Sequence, residues 1–457
     1  MVARSAIVHD GLFVSEGPPP FQGVRMKRVV ILVAPWLLAI ACGTTAGGGA
    51  EAPDAEAPAL DATVKDAPVD EKPVALDATP SEGGLSDTGT DAAPLLDASD
   101  ASMDAADAAP PPMPEVQYIG RWDFQAGEAS AAYPASRAIV RFRGTGLEVT
   151  ARDTAGRTWL DVTVDGVLQL PVALGTTPQV VTLAENLAVG DHVVEVYKRT
   201  EDFNGVVRLS SFTYPGGGQL LAPPPRKVRH VEIIGNSTLS GYGVDGVRGD
   251  ALCNTSSVHN AHRSLIALLA AGLDAEEYAP SVSGTGVLTN ENPVDTNLIF
   301  STYPRVLSRF TTPLWDFSKW QPDAIVVMIG GTDLSNPQVD PPPSQATFAT
   351  AYEQFLALVR SKNPNAHVFA ATSPTTSNFY PTNDVNGNPY MARTKMMGGI
   401  AAAVASRNAA GDTKVYPFVF SPASDADLGA CAYHPTFTLY QRMASEIVPF
   451  IKTTVGW

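Results

Sequence analysis

Val231-Glu232-Ile233-Ile234-Gly235-Asn236-Ser237-Thr238-Leu239-Ser240-Gly241-Tyr242-Gly243 decides the fold of the C-terminal half of this chain. Three of its first four residues are apolar and β-branched, which reads as a buried strand, and small polar residues then end it. The same grammar recurs downstream. Ala324-Ile325-Val326-Val327-Met328-Ile329 is a second, more apolar strand, and His367-Val368-Phe369-Ala370-Ala371 is a third. Ala261 to Gly272, Thr347 to Ser361 and Leu439 to Thr453 read as helices. Apolar strands separated by helices specify a parallel sheet covered on both faces, an α/β fold. In such a sheet reactive groups gather at the carboxyl ends of the strands. Ser237 follows the first strand directly, and His434 stands just before the closing helix in Cys431-Ala432-Tyr433-His434-Pro435. A serine hydroxyl becomes a nucleophile when a neighbouring imidazole takes its proton, so this pair is the candidate catalytic centre. Alone the pair is weak evidence, since a serine in that position more often caps a helix.

Upstream the pattern changes. Ala138 to Phe142, Leu147 to Thr150, Leu160 to Val164 and Val193 to Tyr197 alternate apolar and polar residues, with Asp165-Gly166 and Val189-Gly190-Asp191 among the turns. Period two with frequent turns predicts a small antiparallel β-sandwich over residues 114–222. A Pro/Gly-rich hinge, Pro215 to Gly218 and Pro223 to Pro225, separates it from the α/β domain at 226–457. Residues 43–113 are Ala, Asp, Pro, Ser, Gly and Thr with almost no aromatic residue, the composition of a flexible tether. As a coil it spans roughly 40 Å.

The chain of 457 residues has 44% apolar residues and a formal net charge of -16. Fifteen Asp/Glu and two Lys lie between Glu51 and Pro110, so the tether carries nearly all of the imbalance. The rest is close to neutral and has no basic stripe, which argues against a nucleic-acid partner. Met26-Lys27-Arg28 followed by the apolar run Val29 to Ala41 has the length of a signal-peptide core, not of a membrane span. It ends in Leu38-Ala39-Ile40-Ala41-Cys42, which resembles a bacterial lipobox. The expectation is a signal peptide at 26–42, lipidation of Cys42, and an exported protein held on a bacterial membrane, at its periplasmic face or at the cell surface. Residues 1–25 read as an upstream extension, with Met26 the natural start. Cys253 and Cys431 remain, either as a disulfide in that compartment or as two separate buried thiols. No His-x-x-His or carboxylate cluster has metal-ligand spacing and no phosphate loop follows a strand, so neither metal nor other cofactor is expected. No assembly signal is present, and a monomer is expected.

The flanking motifs make the Ser–His reading specific. Ile233 to Gly243, Ser283-Gly284-Thr285-Gly286, Trp315 to Asp323, Gly330-Gly331-Thr332-Asp333 and Tyr433-His434-Pro435 together resemble the blocks of SGNH hydrolases, and most of all carbohydrate esterase family 2. Arg121-Trp122-Asp123-Phe124 and Lys198-Arg199-Thr200-Glu201 match the sandwich of that family, so the resemblance runs from about residue 115 to the end. It implies a jelly-roll sandwich followed by a flavodoxin-like three-layer α/β/α domain with GDSL-type chemistry. Ser237 would be the nucleophile and His434 the general base. Backbone N–H groups of Ser237 and Gly284, with Gly286 as the alternative, would hold the oxyanion. The third donor of the family is an Asn side chain, and Thr332 stands at that position.

Other departures surround the site. Ala432 stands where many members carry an acid, which implies a Ser–His dyad oriented by a backbone carbonyl. Asp425 and Asp427 lie nearby but read first as solvated loop charges, and Asn236 replaces the usual Asp before the nucleophile. Tyr242, Trp315, Trp320 and Tyr433 are candidate sugar-stacking residues, although core packing is the commoner fate of each. The remaining histidines read as structural. The resemblance implies an acetyl xylan esterase-like enzyme that removes O-acetyl groups from a polysaccharide. The alternative is a tethered carbohydrate-binding protein whose esterase site has decayed. A third reading keeps the enzyme and changes the ester to a lipid or aryl acyl group.

Overall fold

The computed structural model describes residues 115–457. The signal peptide, Cys42, the tether and the upstream extension lie outside the described residues. Residues 115–220 form two antiparallel sheets. One contains Gln117–Ile119, Arg137–Gly144, Gly190–Lys198 and Trp159–Val164 in that spatial order, with shorter strands at its edges. The other runs Asp123–Gln125, Glu128–Ala131, Val207–Thr213, Leu147–Asp153 and Gln179–Ala184. Alternate residues such as Val140, Phe142, Val149, Val162, Val194 and Leu209 fill the space between the sheets, as period two requires.

The second part is a five-stranded parallel sheet. Its strands are β1 (Arg229–Gly235), β2 (Ala275–Tyr278), β3 (Ala324–Met328), β4 (His367–Thr372) and β5 (Val415–Val419), in the order β2-β1-β3-β4-β5. The helices that matter here are α1 (Ser237–Ser240), α2 (Leu265–Leu273), α3 (Gly331–Ser335), α4 (Gln345–Lys362), α5 (Ala392–Ala409) and α6 (Phe437–Val455). Val326 and Phe369 face a core shared with Leu265, Leu269, Leu439 and Met443 of α2 and α6. Their neighbours Ile325, Val327 and Val368 face Phe348, Phe355 and Met396 of α4 and α5. Both faces of the sheet are thus covered, in the three-layer arrangement the strand pattern requires.

Buried charge joins the two parts. Arg121 of the sandwich is 1% exposed and pairs with Glu232 of β1 at 2.9 Å, while also donating to the carbonyls of Tyr303 and Arg305. Arg137 pairs with Glu277 of β2 at 2.7 Å. Trp320 donates its indole N–H to Glu276 and stacks on Tyr278 at 3.8 Å, so it belongs to this junction and is no sugar platform. Trp315 likewise packs against Tyr278 and beneath the Arg121 guanidinium. The aromatic reading is therefore corrected for both tryptophans: the indoles help bury the polar groups of the junction.

Candidate active site

Three strands end side by side at the site. Gly235 of β1 pairs with Met328 of β3 on one side and bridges to Ser281 beyond β2 on the other. Ser237 therefore stands between the loop that carries Gly284 and the turn that carries Thr332. Asn236 is the N-cap of α1 and its side chain accepts from Thr238 N–H, which fixes the turn that presents Ser237.

His434 Nε2 lies 2.9 Å from Ser237 Oγ. On the other side of the ring, Nδ1 faces the carbonyl oxygens of Ala432 at 3.1 Å and Cys431 at 3.2 Å. A carbonyl only accepts, so Nδ1 carries the hydrogen and Nε2 presents its lone pair to the serine. Burial pushes the imidazole down to about 4, partly offset by those two carbonyls. The turn that aims them is unusual: Ala432 and Tyr433 adopt φ of 50° and 59°, in the left-handed region that non-glycine residues avoid. It is anchored by the Cys253–Cys431 disulfide and by Arg248 stacked over the Tyr433 ring at 4.6 Å. Neither nearby aspartate reaches the ring. Asp425 pairs with Arg248, and Asp427 with Arg442 and Ser424.

The glycines of the second block separate. Gly284 has φ of 75°, and its N–H has no acceptor among the described residues. Gly286 donates its N–H to Asn290 Oδ1 at 3.2 Å and abuts Asp333, so the alternative oxyanion assignment is corrected: its donor is already engaged. Asp333 carries no role that sequence reasoning found. It is fully buried and accepts from the backbone N–H groups of Val287, Leu288 and Thr289 at 2.6–3.1 Å, so it clamps the second block to the third. Burial raises its carboxyl pKa against the pull of those three donors.

A cleft of about 340 Å³ opens over Ser237 and His434 and is lined also by Phe203, Tyr242, Ser283, Glu291 and Arg309. Tyr242 packs on the His434 ring with centroids 4.4 Å apart, and Tyr433 stands 63% exposed beside it. Of the four aromatic candidates these two flank the site. Phe203 comes from the sandwich, whose Lys198–Glu201 segment docks behind the site. Buried Glu201 meets His259 Nδ1 at 3.1 Å, and His259 packs edge-on against Tyr242. The structural reading of His259 missed this position. The contact is set by tertiary packing between residues 58 apart, and no local sequence pattern marks it. Among the described residues no group of three or more His, Cys, Asp or Glu side chains is placed to hold a metal ion.

A three-layer α/β/α domain with a Ser–His pair at the carboxyl edge of its sheet is the arrangement of an ester hydrolase, and the family matches give its class as GDSL-like. Residues 118–224 match the carbohydrate esterase 2 N-terminal family, and residues 233–442 match the GDSL-like lipase/acylhydrolase family. The chain belongs to carbohydrate esterase family 2. It is 31% identical over 346 residues to the cellulase/esterase CelE of Acetivibrio thermocellus, covering 75% of this chain and 40% of that protein, so it spans well under half of that relative. It is 26% identical to an acetylxylan esterase/glucomannan deacetylase of Cellvibrio japonicus, covering 75% of this chain and 90% of the relative. The structure of a family two carbohydrate esterase from Clostridium thermocellum in complex with cellohexaose superposes with a TM-score of 0.67 at 29% identity, covering 75% of this chain and all of the other.

Proposed function

We propose that this chain removes O-acetyl groups from an acetylated polysaccharide, xylan or a similar glycan, through a Ser237–His434 dyad. The observation that carries this reading is the 2.9 Å contact from Ser237 Oγ to an Nε2 whose tautomer is set by two carbonyls. At neutral pH the ring is unprotonated. Ser237 Oγ attacks the acetyl carbonyl carbon as its proton passes to Nε2, and the carbonyl oxygen becomes an oxyanion. The N–H groups of Ser237 and Gly284 and the Thr332 hydroxyl hold that charge. The C–O bond to the sugar then breaks, Nε2 returns the proton to the sugar oxygen, and an acetyl-serine remains. Water attacks it with the imidazole again as base, releasing acetate. The acetyl and glycan assignments draw support from the names of the relatives, and Tyr242, Tyr433 and Phe203 offer apolar faces to a sugar ring.

The deciding measurement is acetate release from acetylated xylan and glucomannan, together with labelling by a serine-directed phosphonate. The wild-type protein should do both, and Ser237→Ala neither. Rates on a chromogenic series should fall steeply beyond two acyl carbons; a preference for long chains would move the substrate to lipid esters. A folded protein that binds the glycans but neither labels nor releases acetate would instead be a binding protein with a decayed site. Export and anchoring through Cys42 complete the proposal. An intrachain disulfide suits an oxidising compartment and supports this part. Metabolic labelling with a fatty acid should be lost in Cys42→Ala.

A further inference from the structure

Asn236 and Thr332 come from different strand ends and meet beside the nucleophile. Asn236 Nδ2 donates to Thr332 Oγ1 at 3.3 Å, and Asn236 Oδ1 accepts from Thr238 N–H at 3.3 Å. The second contact orients the first: a backbone N–H needs the oxygen end of the amide, so the amino end must face Thr332. Asn236 is only 7% exposed, which leaves the amide little room to turn. A hydroxyl has one hydrogen and two lone pairs. Because the Thr332 oxygen accepts from Asn236, its hydrogen is directed away from Asn236, and no acceptor among the described residues takes it. Thr332 follows β3, which pairs with β1 on one side of Gly235, and Gly284 follows Ser281, which bridges to Gly235 on the other.

We infer that Asn236 is a positioning residue that polarises Thr332 so that its hydroxyl donates to the oxyanion. This rests on the Ser237–His434 reading above. The sign of the residue before the nucleophile then matters more than its shape. An aspartate there has only acceptors when ionised. It would capture the Thr332 hydrogen and place a negative charge beside the developing oxyanion. The long 3.3 Å contact from Asn236 to Thr332 is of the kind that tightens as charge develops during reaction.

The inference is tested by steady-state kinetics of the full chain on a chromogenic acetyl ester, with thermal unfolding to verify the fold of each variant. Asp and Asn are equally good N-caps, so Asn236→Asp changes polarity without removing the cap. Thr332→Val should lower kcat by roughly 10²-fold with KM little changed, while Thr332→Ser keeps most of the activity. Asn236→Asp should lower kcat to a similar extent at pH 8. Its ratio to wild type should rise toward one as the pH falls through the carboxylate range, because the introduced carboxyl, once protonated, can again donate to Thr332. In the Thr332→Val background the Asn236→Asp change should add little. Combining Asn236→Asp with Thr332→Asn should recover activity, since a primary amide can donate to the carboxylate and to the oxyanion at once. A folded Asn236→Asp enzyme with wild-type kcat at every pH, or losses that simply multiply in the double variant with valine, would overturn the inference. So would a Thr332→Ser enzyme as slow as Thr332→Val. Full activity in Ser237→Ala would overturn the dyad itself, a different result with a different meaning.

Discussion

Ser237 and His434 are held by the backbone of the α/β domain, whereas the sandwich is joined to that domain through buried side chains that carry or hide charge. Ser237 follows a strand and a cap, and the His434 imidazole is aimed by two carbonyls on a left-handed turn. Arg121, Lys198 and Glu201 of the sandwich are all buried. Lys198 donates to the carbonyls of Thr200 and Glu201, and burial pushes it down to about 8 against the pull of Asp153 and Asp202. The two kinds of support imply different failures. Damage to the first set should abolish turnover in a molecule that still folds, and damage to the second should unfold a molecule whose chemistry is intact.

His434→Ala gives the largest effect and tests the first half of that contrast. Loss of the base should lower kcat by roughly 10⁴-fold or more while the thermal midpoint stays close to wild type. Arg121→Ala tests the second half. It leaves Glu232 buried without its cation, beside Tyr303 Oη at 2.8 Å as its remaining partner. Removing one partner of a buried pair costs about 3–5 kcal/mol, read as a lower denaturation midpoint. The kcat of the folded fraction should be unchanged. A folded Arg121→Ala enzyme with kcat reduced like that of His434→Ala would break the comparison, because the junction would then be setting the geometry of the dyad.

How much of this was legible in the sequence divides along the same line. β1, β3, β4 and helices α2, α4 and α6 follow from apolar pattern, and Ser237 and His434 from their places at element ends. β2 is different: in Ala275-Glu276-Glu277-Tyr278 two consecutive carboxylates hide a fully buried strand. Arg226, Trp320 and Arg137, distant in sequence, make it tolerable. β5 contains Pro417, acceptable because this strand lies at the sheet edge. α5 carries Gly398-Gly399, poor helix formers that let Gln345 and Phe348 of α4 approach closely. The motifs named the oxyanion region, but Gly284 could be separated from Gly286 only once Asn290 was seen to occupy the latter. Partners set by tertiary contact leave no local pattern to read.

Acid should affect the two halves through different histidines. Burial holds both His434 and His259 down to about 4, whereas an unfolded histidine titrates near 6.5. Below about pH 6.5 the unfolded chain therefore binds protons that the folded chain refuses, so stability falls as pH drops toward 4. With the proposed dyad, turnover should depend on His434 and not on His259. Initial rates should stay level from pH 7 to about 5 and halve near the His434 value. In His259→Gln the acid loss of stability should shrink while the rate profile keeps its midpoint. An unmoved stability curve, or a shifted rate profile, would show that the two rings do not act separately.

The smallest expected effect is that of Glu201→Gln, and it has a definite sign. His259 Nδ1 is approached by Gly243 N–H at 3.2 Å and by Glu201 Oε1 at 3.1 Å. A nitrogen that accepts from the glycine cannot also donate to the carboxyl, so a hydrogen between the ring and Oε1 belongs to a neutral carboxyl that shares the single lone pair of Nδ1 with the glycine N–H. Burial raises the Glu201 pKa well above its ordinary value, in agreement with a neutral acid. A raised pKa contributes stability that is fully present at low pH and is lost as pH rises from the unfolded value toward the folded one. Glutamine keeps the shape and a donor and cannot ionise when unfolded. Glu201→Gln should therefore stay close to wild type in thermal midpoint at pH 5 and equal or exceed it at pH 8. Turnover should be little changed at either pH, because glutamine keeps the shape and a donor at this position. A variant strongly destabilised at pH 8 would mean that Glu201 is ionised and pairs with a charged His259, placing real charge directly behind the catalytic ring.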